Sequence, residues 1–170
     1  VFEHLRRAVE YLYEFKGMHG LIKIWGGDWN DGMNLVGAGG KGRSVWLSMF
    51  LYEVIGKFAR YITLPSEKKY YFEKKSLLKA GVEACFNGKY FIRAIADDGT
   101  ILGDEKSAEC KMDLLTQAYA AISGITTAEK ALSAVECAEK VLVDEKNGII
   151  KLLDPPFEHS EKVGYIRAQC

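Results

Sequence analysis

The sequence predicts a mainly α-helical fold with one short β-hairpin, and three observations carry the prediction. Apolar residues recur at helical spacing in several segments, two of those segments open on recognisable start signals, and one glycine-rich stretch has no period at all. Phe2, Leu5, Val9 and Leu12 share one face, with Gly17 as a C-cap, so the chain opens on an amphipathic helix. Residues 18–42 are dense in glycine and read as a long loop, a type that is usually functional when it is ordered inside a compact domain. From Ser44 to about Ile62 the chain is apolar on most helical faces, which predicts a deeply buried helix. Pro65-Ser66 restarts a helix running to Asn87-Gly88. Its lysines from Lys68 to Lys79, interspersed with Glu67 and Glu73, read as a solvated face.

Tyr90 to Ile95 is rich in aromatic and β-branched residues and is followed by the turn signal Asp98-Gly99, so a hairpin closing onto Ile101-Leu102 is expected. A helix over about Lys111 to Ile122 follows, ending at Ser123-Gly124. Thr126 and Glu129 then form a capping box for a last helix reaching about Asp144. After Asn147-Gly148 a brief strand, Ile149 to Leu153, leads into Pro155-Pro156 and an irregular tail. Consecutive antiparallel helices with short links fit a piece of an α/α-toroid, and no internal repeat names a solenoid.

Composition narrows the function. At 170 residues, with 48% hydrophobic and 27% charged side chains, the chain has the make-up of a single domain with a real core. Its 23 basic and 23 acidic residues cancel, so nothing draws it generally to nucleic acid or to an anionic membrane. The longest apolar run, Trp46 to Ile55, is interrupted by Ser48, Tyr52 and Glu53 and is too short to span a bilayer. Cys85, Cys110, Cys137 and Cys170 are widely spaced with no Cys-x-x-Cys pair, which argues for thiols in a cytoplasmic protein and against zinc or a disulfide framework.

The stretch Trp25-Gly26-Gly27-Asp28-Trp29-Asn30-Asp31-Gly32-Met33-Asn34 is the most informative. It gathers two carboxylates, two amides and three glycines where no helix or strand period asks for them. An indole can stack on a sugar ring, amides can bind hydroxyls and a carboxyl group can move a proton, so the segment reads as a carbohydrate-processing site. A calcium loop fails on spacing. Counting from Asp28, position six is Met33 instead of glycine and position twelve is Gly39 instead of glutamate. Gly37 to Gly42 invites a phosphate cradle, but it follows no strand and lacks a Gly-Lys-Ser/Thr register, so a flexible loop is the preferred reading. No histidine pair has metal spacing, and no nucleotide or metal cofactor is expected.

These blocks resemble the inverting disaccharide phosphorylases, the family of cellobiose and chitobiose phosphorylases and the phosphorylase-like domain of cyclic β-1,2-glucan synthases. The resemblance runs from His19-Gly20-Leu21 through the Asp28–Asn34 block to Ser44-Val45-Trp46-Leu47. It resumes at Tyr90 to Ala94, Asp97-Asp98-Gly99-Thr100, Glu109-Cys110, Asp113 and Gln117, and returns at Leu152 to Phe157 and Gly164-Tyr165-Ile166. The Gly-Met pair after Asp31 and the double proline are nearest to the glucan-synthase branch. What the resemblance implies is a partial (α/α)-toroid barrel of the six-hairpin glycosidase type, with residues 1–170 a fragment of one catalytic domain incomplete at both ends. It implies Asp31 as general acid, partly desolvated, with its pKa raised. Asp28, Trp29 and Asn30 would line the sugar site and Glu109 and Gln117 would contact sugar hydroxyls, although Asp28 also suits a turn or cap, and Glu109 and Gln117 suit a solvated helix start. Arg43 stands where the family often has an acidic residue.

The implied reaction takes a β-linked gluco-oligosaccharide and inorganic phosphate as co-substrate, without a second catalytic carboxylate, because phosphate arrives already nucleophilic. An inverting hydrolase on the same scaffold would need a second carboxylate roughly 6.5–9.5 Å away. A non-catalytic sugar-binding module would use Trp29 and Asp31 for binding alone. The implied phosphate pocket follows the Gly164-Tyr165-Ile166 block, so the isolated chain is expected to be inactive. Helix faces of an incomplete barrel are expected to self-associate into a homo-oligomer. The resemblance also implies a bacterial, cytoplasmic protein.

Overall fold

The computed structural model describes residues 1–14 and 20–169. Gly17, His19 and Cys170, each named by the sequence reading, lie outside the described residues. Five α-helices make up most of the regular structure: α1 (Phe2–Glu14), α2 (Val45–Phe58), α3 (Pro65–Glu83), α4 (Leu114–Ile122) and α5 (Ala128–Leu142). Eight two-residue strands join them: β1 (Ile22–Lys23), β2 (Arg43–Ser44), β3 (Ala94–Ile95), β4 (Ile101–Leu102), β5 (Met112–Asp113), β6 (Val143–Asp144), β7 (Ile149–Ile150) and β8 (Leu153–Asp154). Helices pack pairwise, α1 on α2, α2 on α3 and α4 on α5, and α2 also touches α4.

Local chemistry explains the boundaries. Ser44 caps α2, its Oγ accepting from Leu47 N–H at 3.0 Å, and Pro65 occupies the first turn of α3 where its missing N–H is harmless. Helix α2 is apolar almost all round, and Val45, Trp46, Met49, Leu51, Ile55 and Phe58 are buried, as its composition predicts. Helix α3 ends at Glu83, short of the expected Asn87-Gly88, the expected strand Ile149 to Leu153 is split between β7 and β8, and two helix starts moved. The cap of α5 is Thr127, one residue beyond the capping-box threonine, with its side chain accepting from Lys130 N–H. Helix α4 starts at Leu114, because residues 112–113 pair with β8 before Asp113 caps the helix.

The face of α1 is only half as predicted. Val9 is buried and Leu12 partly so, but Leu5 is exposed and Phe2 lies against Phe58 with ring centroids 5.1 Å apart. The basic face of α3 also needs correction. Lys74 is buried, ion-paired to Glu10 at 2.9 Å and 3.6 Å from the centroid of the Tyr13 ring, and Lys75 lies over Tyr52. An ammonium loses its hydration there only because a carboxylate and π faces replace it.

The expected hairpin exists as β3–β4, with Ala94 opposite Leu102 and Ile95 opposite Ile101. It is the outer half of a four-stranded antiparallel sheet in the order β1-β2-β3-β4, which stitches both ends of the glycine-rich loop to the hairpin. Beneath that loop lies a separate apolar cluster of Ile24, Met33, Val36, Ala94, Leu102, Phe157, Val163 and Ile166. The loop therefore rests on its own small core.

Candidate active site

Residues 25–42 have no helix longer than one 3₁₀ turn, Asp31–Met33, yet they are tied down at several points. Asn30 caps that turn, its Oδ1 accepting from Gly32 N–H at 3.0 Å. Gly32 packs so closely on Ile166 that a Cβ would meet the Ile166 Cβ at 2.8 Å, so the turn needs glycine there. Three N–H groups of the glycine run, from Gly39, Lys41 and Gly42, converge on the Asp97 carboxylate at 2.5, 2.7 and 2.7 Å. The run is thus an anion nest filled by the protein's own carboxylate, not the flexible loop expected of it. Those N–H groups hold the Asp97 carboxyl below the usual range, against the opposing effect of partial burial.

Trp29, Asn30, Asp31 and Gly32 form one wall of a cleft of about 550 Å³. Leu152, Leu153, Pro156, Phe157, Tyr165 and Ile166 complete the lining, so the double-proline block and the Gly-Tyr-Ile block meet the loop here. Trp29 is 61% exposed, an indole displayed and not packed away. Asp31 is exposed as well, and the desolvation expected around it is not supplied by the described residues. Among the described residues lining the cleft, Asp31 is the only carboxylate.

Asp28 does something different. Its carboxylate has no solvent exposure and is held by both terminal nitrogens of Arg93, at 2.8 and 2.7 Å, by the Ser44 hydroxyl at 2.5 Å and by Asn30 N–H at 3.1 Å. Burial pushes the Asp28 carboxyl up, but Arg93 and these hydrogen bonds outweigh it and hold the group below its ordinary value. The side chain faces inward, so the sugar-site expectation gives way to the turn reading, with an ion pair added. Sequence reading missed Arg93 as its partner. The available signal was a lone arginine inside the apolar run Tyr90–Ile95, where a charge needs a counter-charge.

The two expected hydroxyl contacts outside the loop are occupied elsewhere. Gln117 is fully buried, its Oε1 accepting from Phe91 N–H at 3.0 Å and its Nε2 donating to Phe91 C=O at 2.8 Å and Asp113 C=O at 3.1 Å. Glu109 accepts from the N–H groups of Glu158, His159 and Ser160 at 3.0, 2.9 and 3.0 Å and from the Ser160 hydroxyl. Those bonds, led by the Ser160 hydroxyl, lower its pKa to about 2. Glu109 thereby anchors the segment just after Phe157, which lines the cleft, and itself stands outside the cleft lining. Among the described residues, no group of three or more His, Cys, Asp or Glu side chains could hold a metal ion. No helix there is long and apolar enough to cross a membrane.

An exposed indole and an exposed carboxylate, two residues apart on the same wall of a cleft, sit on a backbone fixed from beneath. The catalytic-domain pattern of the glycosyl hydrolase 94 superfamily matches residues 1–169. The chain belongs to the glycosyl hydrolase 94 family. It is 36% identical over 173 residues to the cyclic β-(1,2)-glucan synthase NdvB of Rhizobium meliloti, covering 99% of this chain and 6% of the synthase. It is 31% identical over 169 residues to the solabiose phosphorylase of Paenibacillus borealis, covering 96% of this chain and 22% of that enzyme. It is 24% identical over 148 residues to an N,N'-diacetylchitobiose phosphorylase of Vibrio proteolyticus, covering 84% of this chain and 18% of that enzyme. The glycosyl hydrolase 94 relatives thus include several glycoside phosphorylases, and this chain spans less than a quarter of each of these three relatives.

Proposed function

We propose that this cleft is one side of the active site of an inverting β-glucoside phosphorylase, or of the phosphorylase-like part of a glucan synthase. The intact protein converts a β-linked gluco-oligosaccharide and inorganic phosphate into α-sugar 1-phosphate and a shortened acceptor, reversibly. The observation that carries the reading is the pairing of exposed Trp29 with Asp31 in one cleft of a family whose named relatives include phosphorylases. Asp31 protonates the departing glycosidic oxygen, and in synthesis it takes the proton from the acceptor hydroxyl. Trp29 offers its ring face to the sugar, and Asn30, with its side-chain oxygen engaged by Gly32, keeps its amide nitrogen as a donor to a hydroxyl. Phosphate supplies the nucleophile, so no cofactor takes part. The helices belong to an (α/α) six-hairpin barrel, for which their pairwise packing is the support.

The test is sugar 1-phosphate release by the intact protein supplied with phosphate and, in parallel, sophorose, longer β-1,2-gluco-oligosaccharides, cellobiose and chitobiose. Release should depend on phosphate and fall about 1,000-fold or more in Asp31→Asn, with folding unchanged. Retained turnover in that variant removes Asp31 from the role. Cleavage indifferent to phosphate moves the protein to the hydrolases.

A further inference from the structure

Neither Trp29 nor Asp31 is held by its own packing, since both side chains are exposed, and a three-residue 3₁₀ turn is too short to fix them. Their geometry must be set by the residues between and beside them. Asp28, Asn30 and Gly32 are those residues: Gly32 packs on Ile166, and Asp28 and Asn30 are hydrogen-bonded inward or along the chain. The inward polar connections lead to Arg93 and to Ser44, which Arg93 also reaches.

The Arg93 backbone is pinned first. Its N–H donates to Leu102 C=O at 2.8 Å, within the hairpin, and its C=O accepts from Val45 N–H at 3.2 Å, at the start of α2. Its side chain, 1% exposed, then spans three structural units. One guanidinium edge grips both oxygens of Asp28, Nη1 also reaches the Ser44 Oγ at 3.1 Å, and Nε faces the Asp113 Oδ2 at 3.4 Å. Ser44 and Asp113 are the N-caps of α2 and α4. Asp113 turns its other oxygen to Thr116 N–H and Oγ1, at 2.9 and 2.7 Å. Two helix starts and the loop therefore meet on a single buried guanidinium.

We propose that Arg93 is the positioning residue of the acid-bearing loop, setting the relative placement of Trp29 and Asp31 by fixing Asp28 to the caps of α2 and α4. The proposal rests on the reading of Asp31 as the general acid. An arginine is required because its planar fork meets two carboxylate oxygens and a hydroxyl at once and leaves a third nitrogen toward a second carboxylate. A lysine delivers one charged point. Arg93 touches no substrate and transfers no proton. Its effect is transmitted through Asp28, and a displacement of the loop by about 1 Å is enough to cost about 100-fold in rate.

The experiment is Arg93→Lys in the intact protein, read by steady-state kinetics and by amide hydrogen exchange. Positioning predicts a kcat about 100-fold lower with the KM for phosphate within about twofold of wild type. It also predicts amides of residues 29–33 exchanging about tenfold faster, while those of Leu51 to Ile55 in α2 keep their protection. Should Arg93→Lys fail to fold, Asp28→Asn keeps the shape of the partner, weakens the grip and is held to the same outcomes. Wild-type kcat in a folded variant, or unchanged exchange at residues 29–33, overturns the proposal. If wild-type protein releases no sugar 1-phosphate, the phosphorylase reading fails on that observation, and the positioning role is then decided by the exchange measurement alone.

Discussion

The loop of residues 25–42, between α1 and α2, and the hairpin of β6 and β7, which follows α5, are ordered by opposite means. The hairpin has regular pairing, Val143 opposite Ile150 and Asp144 opposite Ile149, and its polar bonds are local ones between Asp144 and Asn147. Ile149 and Ile150 are 53% and 62% exposed. The loop has almost no regular pairing, yet its carboxylate Asp28 and its N–H groups at 39, 41 and 42 are bound to Arg93 and Asp97, more than fifty residues away in sequence. Secondary structure is thus a poor guide to rigidity here. Polar clamps to a core make irregular backbone firm, and a two-stranded ribbon with its apolar side chains in water is marginal.

That contrast is broken most strongly at Asp28. Asp28→Ala leaves the buried Arg93 guanidinium with Asp113 as its remaining counter-charge, and removing one partner of a buried pair costs about 3–5 kcal/mol. A urea midpoint within error of wild type would show that the loop is not held from below. Asp97→Ala should cost less, about 1–2 kcal/mol, because its three accepted hydrogen bonds lie near solvent. Its signature is in the pH dependence. The Asp97 pKa is depressed in the fold, so its stabilisation is fully present above the unfolded value of about 3.9 and is lost as pH falls through the lower folded value. Urea midpoints between pH 5 and pH 3 should therefore fall less steeply in Asp97→Ala than in wild type, and parallel curves would remove Asp97 from the account.

Much of this was legible in the sequence, for a physical reason. Helix α2, the Pro65 start of α3, and the hairpin at Asp98-Gly99 are specified by nearest neighbours: apolar period, a missing N–H, a turn residue with positive φ. The Trp29–Asp31 cleft was foreseeable because those residue types serve no local folding purpose. What stayed hidden was everything that depends on distant partners. Asp28, Gln117 and Glu109 are all polar residues in a matching block, and sequence alone does not distinguish a side chain reaching for a ligand from one reaching for Arg93, the Phe91 backbone or the 158–160 segment. Lys74 misled for the same reason, since its counter-charge, Glu10, lies sixty-four residues earlier.

Asp113 sharpens the comparison from the other side of Arg93. Burial pushes its carboxyl up, and Arg93 with the Thr116 bonds only partly offsets this. A carboxyl with a raised folded pKa contributes stability below the unfolded value of about 3.9, and that contribution is lost as pH rises through the folded value. Asp113→Asn keeps a good N-cap while removing a disfavoured charge, so its stability at pH 7 should stay within about 1 kcal/mol of wild type. A much larger loss would mean that Arg93 needs both carboxylates.

The smallest effect belongs to the hairpin. Ile150 is 62% exposed, so replacing it with lysine removes little buried apolar area and should shift the urea midpoint by no more than about 0.5 kcal/mol equivalent. The substitution also introduces a cation near Lys151, which is already paired with Asp154 at 2.8 Å, and this adds a weak repulsion screened by salt. Measured at two salt concentrations, Ile150→Lys should lie closer to wild type in the higher one. A loss comparable to that of Asp97→Ala would show that the ribbon, despite its exposure, is as firmly built as the loop, and the distinction between clamped backbone and free ribbon would not survive.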